Sequence, residues 1–363
     1  MRAIVRIGVC ACFALVLPLP AFAGSWRVSQ DGSGDSRTIK GAMDAASHGD
    51  VILVASGLYE EPVALRDGVT VIGAGPQQTV VRYSYAFDPV LVIEHVSSGR
   101  IEGMTIERAA SILEGPAVLV TSGSAVLAHC TISGGVGPGI DVAGVASNLT
   151  LESVTVLEND GPGMTIRAGA RASLRECHVT ANEGAGVSVG EGGRIEVHAS
   201  RFSGNGGAGI LLESDAIASL DDCEIREHSS SGLRVSDEAT VEGVDLVFAE
   251  NAESAIRLTE HAVGTFDRVR IDGGGGDGVL CEGDASCVVL EARVASVNGA
   301  GLRAEDRATI RARTCEVMGS GRDGVAFASA GACSLLHSTV ARSVGDGVRV
   351  SGEAAQVEHC ILA

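Results

Sequence analysis

With 46 acidic against 27 basic side chains in 363 residues, the chain carries a formal charge of −19, and only 3% of it is aromatic. Such a surface excludes nucleic acid and anionic lipid as partners, because both are held by Lys and Arg neutralising phosphates. A polyanionic glycan is excluded as well unless divalent cations intervene.

Residues 1–23 read as an export signal. Arg2 and Arg6 give a basic start, residues 7–17 an apolar stretch, and Ala21-Phe22-Ala23 a small-x-small cleavage site. That stretch is too short to span a bilayer, which takes about 20 residues. No later run is longer, so the sequence predicts an exported protein without a membrane span: secreted, periplasmic or at the cell surface. Loss of the signal removes two arginines and no acid, leaving 25 basic against 46 acidic side chains.

Residues 24–49 are expected to form a cap. Ile39, Ala42, Met43 and Ala46 fall at i, i+3, i+4 and i+7, which predicts a short amphipathic helix over 36–47, ended by Gly49-Asp50. It would cover the apolar side chains and open strand edges of a first coil. Strands are expected at 51–54 and near 63–65, 69–72, 80–81, 90–93 and 101–106, in irregular coils up to about residue 114.

From there the chain repeats. A small residue followed by an aliphatic one recurs at Gly139-Ile140, Gly163-Met164, Gly186-Val187, Gly209-Ile210, Gly232-Leu233, Ala255-Ile256, Gly278-Val279, Gly301-Leu302, Gly324-Val325 and Gly347-Val348. The marker number rises by 24 at the first step and by 23 at each later one. A fixed period of this length signals a solenoid whose repeats bury their apolar faces against one another. Counted from each marker, offsets 1 and 3 are aliphatic, as in Met164 and Ile166 or Ile210 and Leu212. Offset 16 holds Val179, Phe202, Ile225, Phe248, Ile271, Val294, Val317 and Val340, and offset 9 or 11 gives a third row. Three short strands in so short a repeat leave no room for a helix, so the class is all-β. The marker glycines suit bends needing positive φ or close backbone approach.

Asn182, Asn205 and Asn251 share offset 19, with Asn159 and Asn298 one position off. They either stack and hydrogen-bond along the axis or simply tolerate turns. Cys177, Cys223 and Cys315 share offset 14 with Ser200, Ala292 and Ser338, a slot for a small side chain. Cys287 and Cys333 lie two coils apart, about 9.6 Å at the usual strand spacing, beyond the roughly 7 Å a disulfide spans. Cys281 and Cys287 share a coil and are the one pair left open for a bridge. The chain stops in mid-coil at residues 360–363, so either it is truncated or another molecule covers that edge.

Residues 26–75 resemble the N-terminal stretch of pectinesterases and related right-handed parallel β-helix proteins of the pectin-lyase-like superfamily. The matching residues are Asp31-Gly32-Ser33-Gly34, Thr38-Ile39, Ala42, Ala46, Gly49-Asp50-Val51-Ile52 and Gly57-Leu58-Tyr59-Glu60-Glu61. Residues 115–363 resemble the tandem repeats of the same superfamily. The resemblance implies a right-handed, single-stranded parallel β-helix with 23-residue coils and a short N-terminal capping helix. The catalytic segments of pectinesterases, polygalacturonases and pectate lyases are absent, apart from Asp221-Asp222 as a match to the polygalacturonase Asp-Asp. Their catalytic residues are therefore not carried over.

One outward patch has the residues for chemistry. Offsets 13 and 15 should face solvent on the third strand, giving Glu176 and His178, Ala199 and Arg201, Asp222 and Glu224, Asp245 and Val247, Arg268 and Arg270. Asp222 and Asp245 would sit about 5 Å apart on adjacent coils and Glu224 roughly 7 Å away. Three such carboxylates suit a Ca²⁺ bridged to an acidic sugar, or a catalytic acid and base, with Arg201 or Arg270 holding a uronate. They equally suit an exposed ladder of mixed charge, which any soluble solenoid needs. A second acidic row runs through offsets 4–6: Glu191, Asp215, Asp237, Glu260, Asp284, Asp306 and Glu353. Tyr83 and Tyr85 alternate on one strand and could stack a sugar or pack the first coils. The histidines form no metal-spaced cluster, and no cofactor other than Ca²⁺ is indicated.

Two functions follow. One is an exported, non-catalytic scaffold or binding protein at the cell surface or envelope, with a polysaccharide or protein ligand. The other is a polysaccharide lyase or hydrolase working on an acidic glycan through Asp222, Glu224 and Asp245. The absent motifs and the aromatic-poor surface favour the first, the superfamily resemblance the second.

Overall fold

The computed structural model describes residues 23–83, 85, 88–109, 114–352 and 354–363. Residues 1–22 of the expected export signal, and Glu353 of the second acidic row, lie outside the described residues. Among the described residues no helix is long and apolar enough to cross a membrane.

The chain winds as a parallel β-helix of about 14 turns, one for each strand of its third face; the first two faces run together through 27 strands. A regular coil reads Ile210–Leu212, Ile217–Asp221 and Glu224–Arg226. Each strand pairs in parallel with its counterpart one coil on: Ile210 with Leu233, Leu220 with Gly243, Ile225 with Phe248. The alternation seen in the sequence therefore becomes stacked rows, and the eight residues at offset 16 are all fully buried. The second strand turns both offsets 9 and 11 inward, and the two trade volume. Phe266 fits a narrow coil because Gly264 leaves room for it; a Cβ there would lie 2.6 Å from its ring.

Of the two reasons expected for the marker glycines, close backbone approach holds and positive φ does not. No marker glycine has positive φ. From Gly139 to Gly324 the marker glycines leave room where a Cβ would strike the carbonyl oxygen of the next coil's marker, at 2.7 Å for Gly163 and 2.5 Å for Gly186. Positive φ falls instead on three other columns, at offsets 5, 13 and 18. One coil shows all three in Ser214 (59°), Asp222 (53°) and Glu227 (59°). Side chains other than glycine usually avoid this region, at a cost of roughly 1–2 kcal/mol. Here the corner hydrogen bonds fix it: Asp222 N–H donates to Val244 O on the next coil at 3.1 Å, and Glu224 N–H to Ser200 O on the previous one at 3.0 Å. Backbone polar groups at the corners are thus satisfied between coils.

The asparagines do stack. Asn159 Nδ2 donates to Asn182 Oδ1 at 2.7 Å, and Asn182 Nδ2 to Asn205 Oδ1 at 2.9 Å. His228 continues the column, its Nδ1 accepting from Asn205 N–H at 3.2 Å, and Asn251 Oδ1 accepts from His228 N–H at 3.2 Å. Asn159 belongs to the ladder despite its offset. The extra residue of its longer step enters earlier, since Ala143 pairs with Arg167 but Asn148 with Arg171. Asn298 stays outside, exposed, while Val297 fills the buried slot.

Helix α1 spans Ile39–Ala45, shorter than expected, because Thr38 caps it by accepting from Gly41 N–H. Glu61 accepts from Ile39 N–H at 2.7 Å and Lys40 N–H at 2.9 Å, tying α1 to the coil beneath. Within the expected cap, Ser25–Val28 is a strand paired with Val51–Val54. The single strand expected at 101–106 is two, Arg100–Glu102 and Thr105–Arg108, parted by Gly103 at φ 68°. At the other end Val357 and Leu362 are 37% and 54% exposed, whereas their partners Leu335 and Val340 one coil earlier are fully buried.

All eight cysteines from Cys130 to Cys360 are free thiols, Cys281 and Cys287 included. The offset-14 slot is not confined to small side chains, since Leu246 and Val269 fill it in two coils, but where it holds Cys or Ser the side chain hydrogen-bonds. Cys177 and Cys223 donate to the carbonyls of Arg175 and Asp221, each at 3.3 Å, as Ser200 does to His198 O at 2.9 Å.

Candidate functional site

The expected patch is a groove of about 480 Å³ lined by Glu176, His178, Ala199, Ser200, Arg201, Asp222, Glu224, Asp245 and Val247. It opens because Ala199 and Val247 are short where their column neighbours are long. Its floor is the offset-14 slot, where burial pushes the Cys177 and Cys223 thiols up to about 11. They are unreactive there, since the thiolate is the nucleophile.

The offset-13 residues are not on the strand. Glu176, Ala199, Asp222, Asp245 and Arg268 occupy the positive-φ bend before it, with φ between 48° and 54°. His178, Arg201, Glu224, Val247 and Arg270 open the third-face strands. Asp222 and Asp245 do occupy equivalent positions on neighbouring coils, but their side chains do not converge with Glu224. Asp245 turns to Arg268 on the next coil in a bidentate pair at 2.7 and 2.8 Å. Glu224 turns back to Arg201 at 2.6 Å and to Arg226 at 3.2 Å. Arg270 is held by Asp272 at 2.5 Å. Asp222 lies on the same coil as Glu224, one coil before Asp245.

This geometry decides the electrostatics. Arg268 holds the Asp245 carboxyl below the usual carboxylate range, by hydrogen bonds first. A general acid needs the opposite shift. Burial, then Arg201, lowers the His178 imidazole, so it is neutral near pH 7. A carboxyl that does sit above its range is Glu260, pressed against Asp237 in the second acidic row and away from the groove. The expected Ca²⁺ donors do not fit a Ca²⁺ ion, since two of the three are spent on guanidinium groups. Among the described residues no group of three or more His, Cys, Asp or Glu side chains is placed to hold a metal.

Tyr83 and Tyr85 do not share a face. Tyr83 ends the strand Thr79–Tyr83 and packs against the core; Tyr85 is 68% exposed. Following the third face from Val81 through Ile106, Ile132 and Val156 to Val179 gives four coil steps, about 19 Å along the axis from the groove.

A second groove, of about 530 Å³, was not visible in the sequence. It is lined by Glu250, Asn251, Asp272, Gly273, Gly274, Gly275, Ser296 and Asn298. It lies beyond the third-face strand and flanks Val247–Ala249 from the other side. The run of glycines at 273–276 was its one available signal.

A family model described as a right-handed β-helix region matches residues 83–202, 116–264, 185–340 and 254–363. No curated protein matches the chain by sequence. Among solved structures, the A-module of the mannuronan C-5 epimerase AlgE6 from Azotobacter vinelandii is 16% identical, with a TM-score of 0.63 over 89% of this chain and 93% of that one. The catalytic unit of a GH87 α-1,3-glucanase from Streptomyces thermodiastaticus strain HF3-3 is 15% identical, with a TM-score of 0.63 over 95% and 69%. Pectate lyase Pel9A is 13% identical, with a TM-score of 0.53 over 70% and 76%. At these identities the likeness is one of fold.

Proposed function

The chain belongs to the right-handed β-helix family, and from that premise we propose an exported, non-catalytic scaffold that holds a polysaccharide along its third face. One observation carries the reading: two of the groove's four carboxylates, Glu224 and Asp245, are engaged by arginines of neighbouring coils. The groove therefore offers two arginine-paired carboxylates and a neutral His178, which suit the hydroxyls of an uncharged or weakly charged glycan. The chain's overall negative charge disfavours a polyuronate. The neighbours named for polysaccharide enzymes support a glycan as the ligand class, and equally an alternative in which the same groove hydrolyses or eliminates.

The two readings separate in one experiment. The protein is run through gels containing neutral or acidic glycans, and the same polymers are assayed for new reducing ends. Retardation by a neutral glycan, lost in His178→Ala/Arg201→Ala and without chain shortening, supports the scaffold. Chain shortening by wild type that disappears in Asp222→Ala/Asp245→Ala transfers the groove to the lyase or hydrolase reading.

A further inference from the structure

Two thiols in the core meet across one corner. Cys281 ends the strand Val279–Cys281, and Cys287 is the second residue of Ser286–Leu290. Only the turn 282–285 lies between them, closed by Ala285 N–H donating to Glu282 O. Both side chains point inward and are fully buried. The coil below shows that these two offsets touch: a Cβ on Gly264 would lie 2.9 Å from Leu258 Cδ2. In the coil above, Ala304 and Ile310 take the same places. Where those coils pack aliphatic groups, this one places the Cys281 thiol beside the Cys287 thiol, both fully buried.

We propose that Cys281 and Cys287 form an intramolecular disulfide when the chain folds in an oxidising medium, stitching the first face to the second inside the core. The reaction is a thiol–disulfide exchange. Two S–H bonds break, one S–S bond forms, and two protons leave; the two electrons reduce a small-molecule or enzyme disulfide to two thiols. It must precede closure of the coil. In the folded protein the Cys287 neighbour and burial hold the Cys281 thiol far above its ordinary range, which leaves almost no thiolate to attack. The folded, reduced protein is thus kinetically locked as the dithiol, and the oxidised protein as the disulfide. This assignment stands apart from the ligand reading and survives its failure.

Wild-type protein tests it directly. The unfolded, reduced chain is refolded in a buffer of reduced and oxidised glutathione. It is then denatured with an alkylating agent and no reductant, and digested with trypsin. Both cysteines fall on the single peptide 271–293, which has no internal Lys or Arg. The expected product is that peptide unalkylated and lighter by two hydrogens. Folded reduced protein given the same buffer should instead yield it with both thiols alkylated. Two alkyl groups on peptide 271–293 after oxidative refolding, or a bond from either cysteine to Cys315 or Cys333, overturns the pairing. Equally rapid oxidation of the folded protein overturns the order of events.

Discussion

Replacing His228 by Asn is the sharpest test of the polar column. His228 is 2% exposed, and its Nε2 has no hydrogen-bond partner among the described residues. Because Nδ1 accepts from Asn205 N–H, the proton sits on that unpartnered Nε2. Burial lowers the imidazole from 6.5 to about 4. The folded state therefore refuses a proton that the unfolded chain accepts. Above pH 6.5 the residue costs nothing by titration; as pH falls from 6.5 toward 4, stability drains away. The full loss is about 3 kcal/mol at the usual 1.36 kcal/mol per pKa unit. In His228→Asn that loss disappears. The new amide is placed to accept from Asn205 N–H and to donate to Phe202 O, as Asn251 does to Ile225 O at 3.2 Å. Stability is best read by hydrogen exchange of the amides in coils 205–251, since a solenoid opens locally. The variant should gain on wild type by about 3 kcal/mol between pH 7.5 and pH 4. Carboxylates titrating elsewhere cancel in the difference. Parallel curves for the two proteins across that range would refute the buried neutral imidazole.

Ala199→Gly relieves a positive-φ alanine at 48° and should raise the thermal midpoint, by about 0.5–1 kcal/mol of stability; a lower midpoint would show that the corner is not strained. Gly264→Ala drives a methyl against the Phe266 ring and should cost about 1–3 kcal/mol in urea unfolding followed by circular dichroism. Arg268→Ala frees Asp245, whose carboxyl should return upward to the ordinary range of about 4 in an NMR titration. An unchanged titration would mean that the bidentate pair does not persist in solution.

The rows of the solenoid were legible because each offset recurs: Phe202 and Phe248 could be placed in the core from position alone. The groove was legible for the same reason, as a column of outward offsets. Its chemistry was not, because two rotatable bonds decide whether Asp245 faces Asp222 or Arg268. The positive-φ column at offset 13 was hidden by its residue types. Glu176, Ala199 and Arg268 give no turn signal, since hydrogen bonds to the neighbouring coils impose the conformation. The marker glycines did signal a constraint, but of approach between coils and not of dihedral angle. Asn159 looked out of register because a single inserted residue is invisible until the strands are paired.

That inserted residue bears on how such a chain can change length. Corner amides find their carbonyl either within their own turn or about one coil away, so deleting a whole coil leaves each contact with an equivalent partner. Removing one residue from a strand would instead turn its buried row outward. The first corner of coil 139 is one exception: the surplus residue is accommodated within 144–147, with Val145 83% exposed and Ser147 N–H closing back on Gly144 O. Evolution or an engineer thus has two permitted moves, adding and subtracting whole turns or lengthening that corner. The corner offers a place to graft a loop onto the scaffold without disturbing the stack.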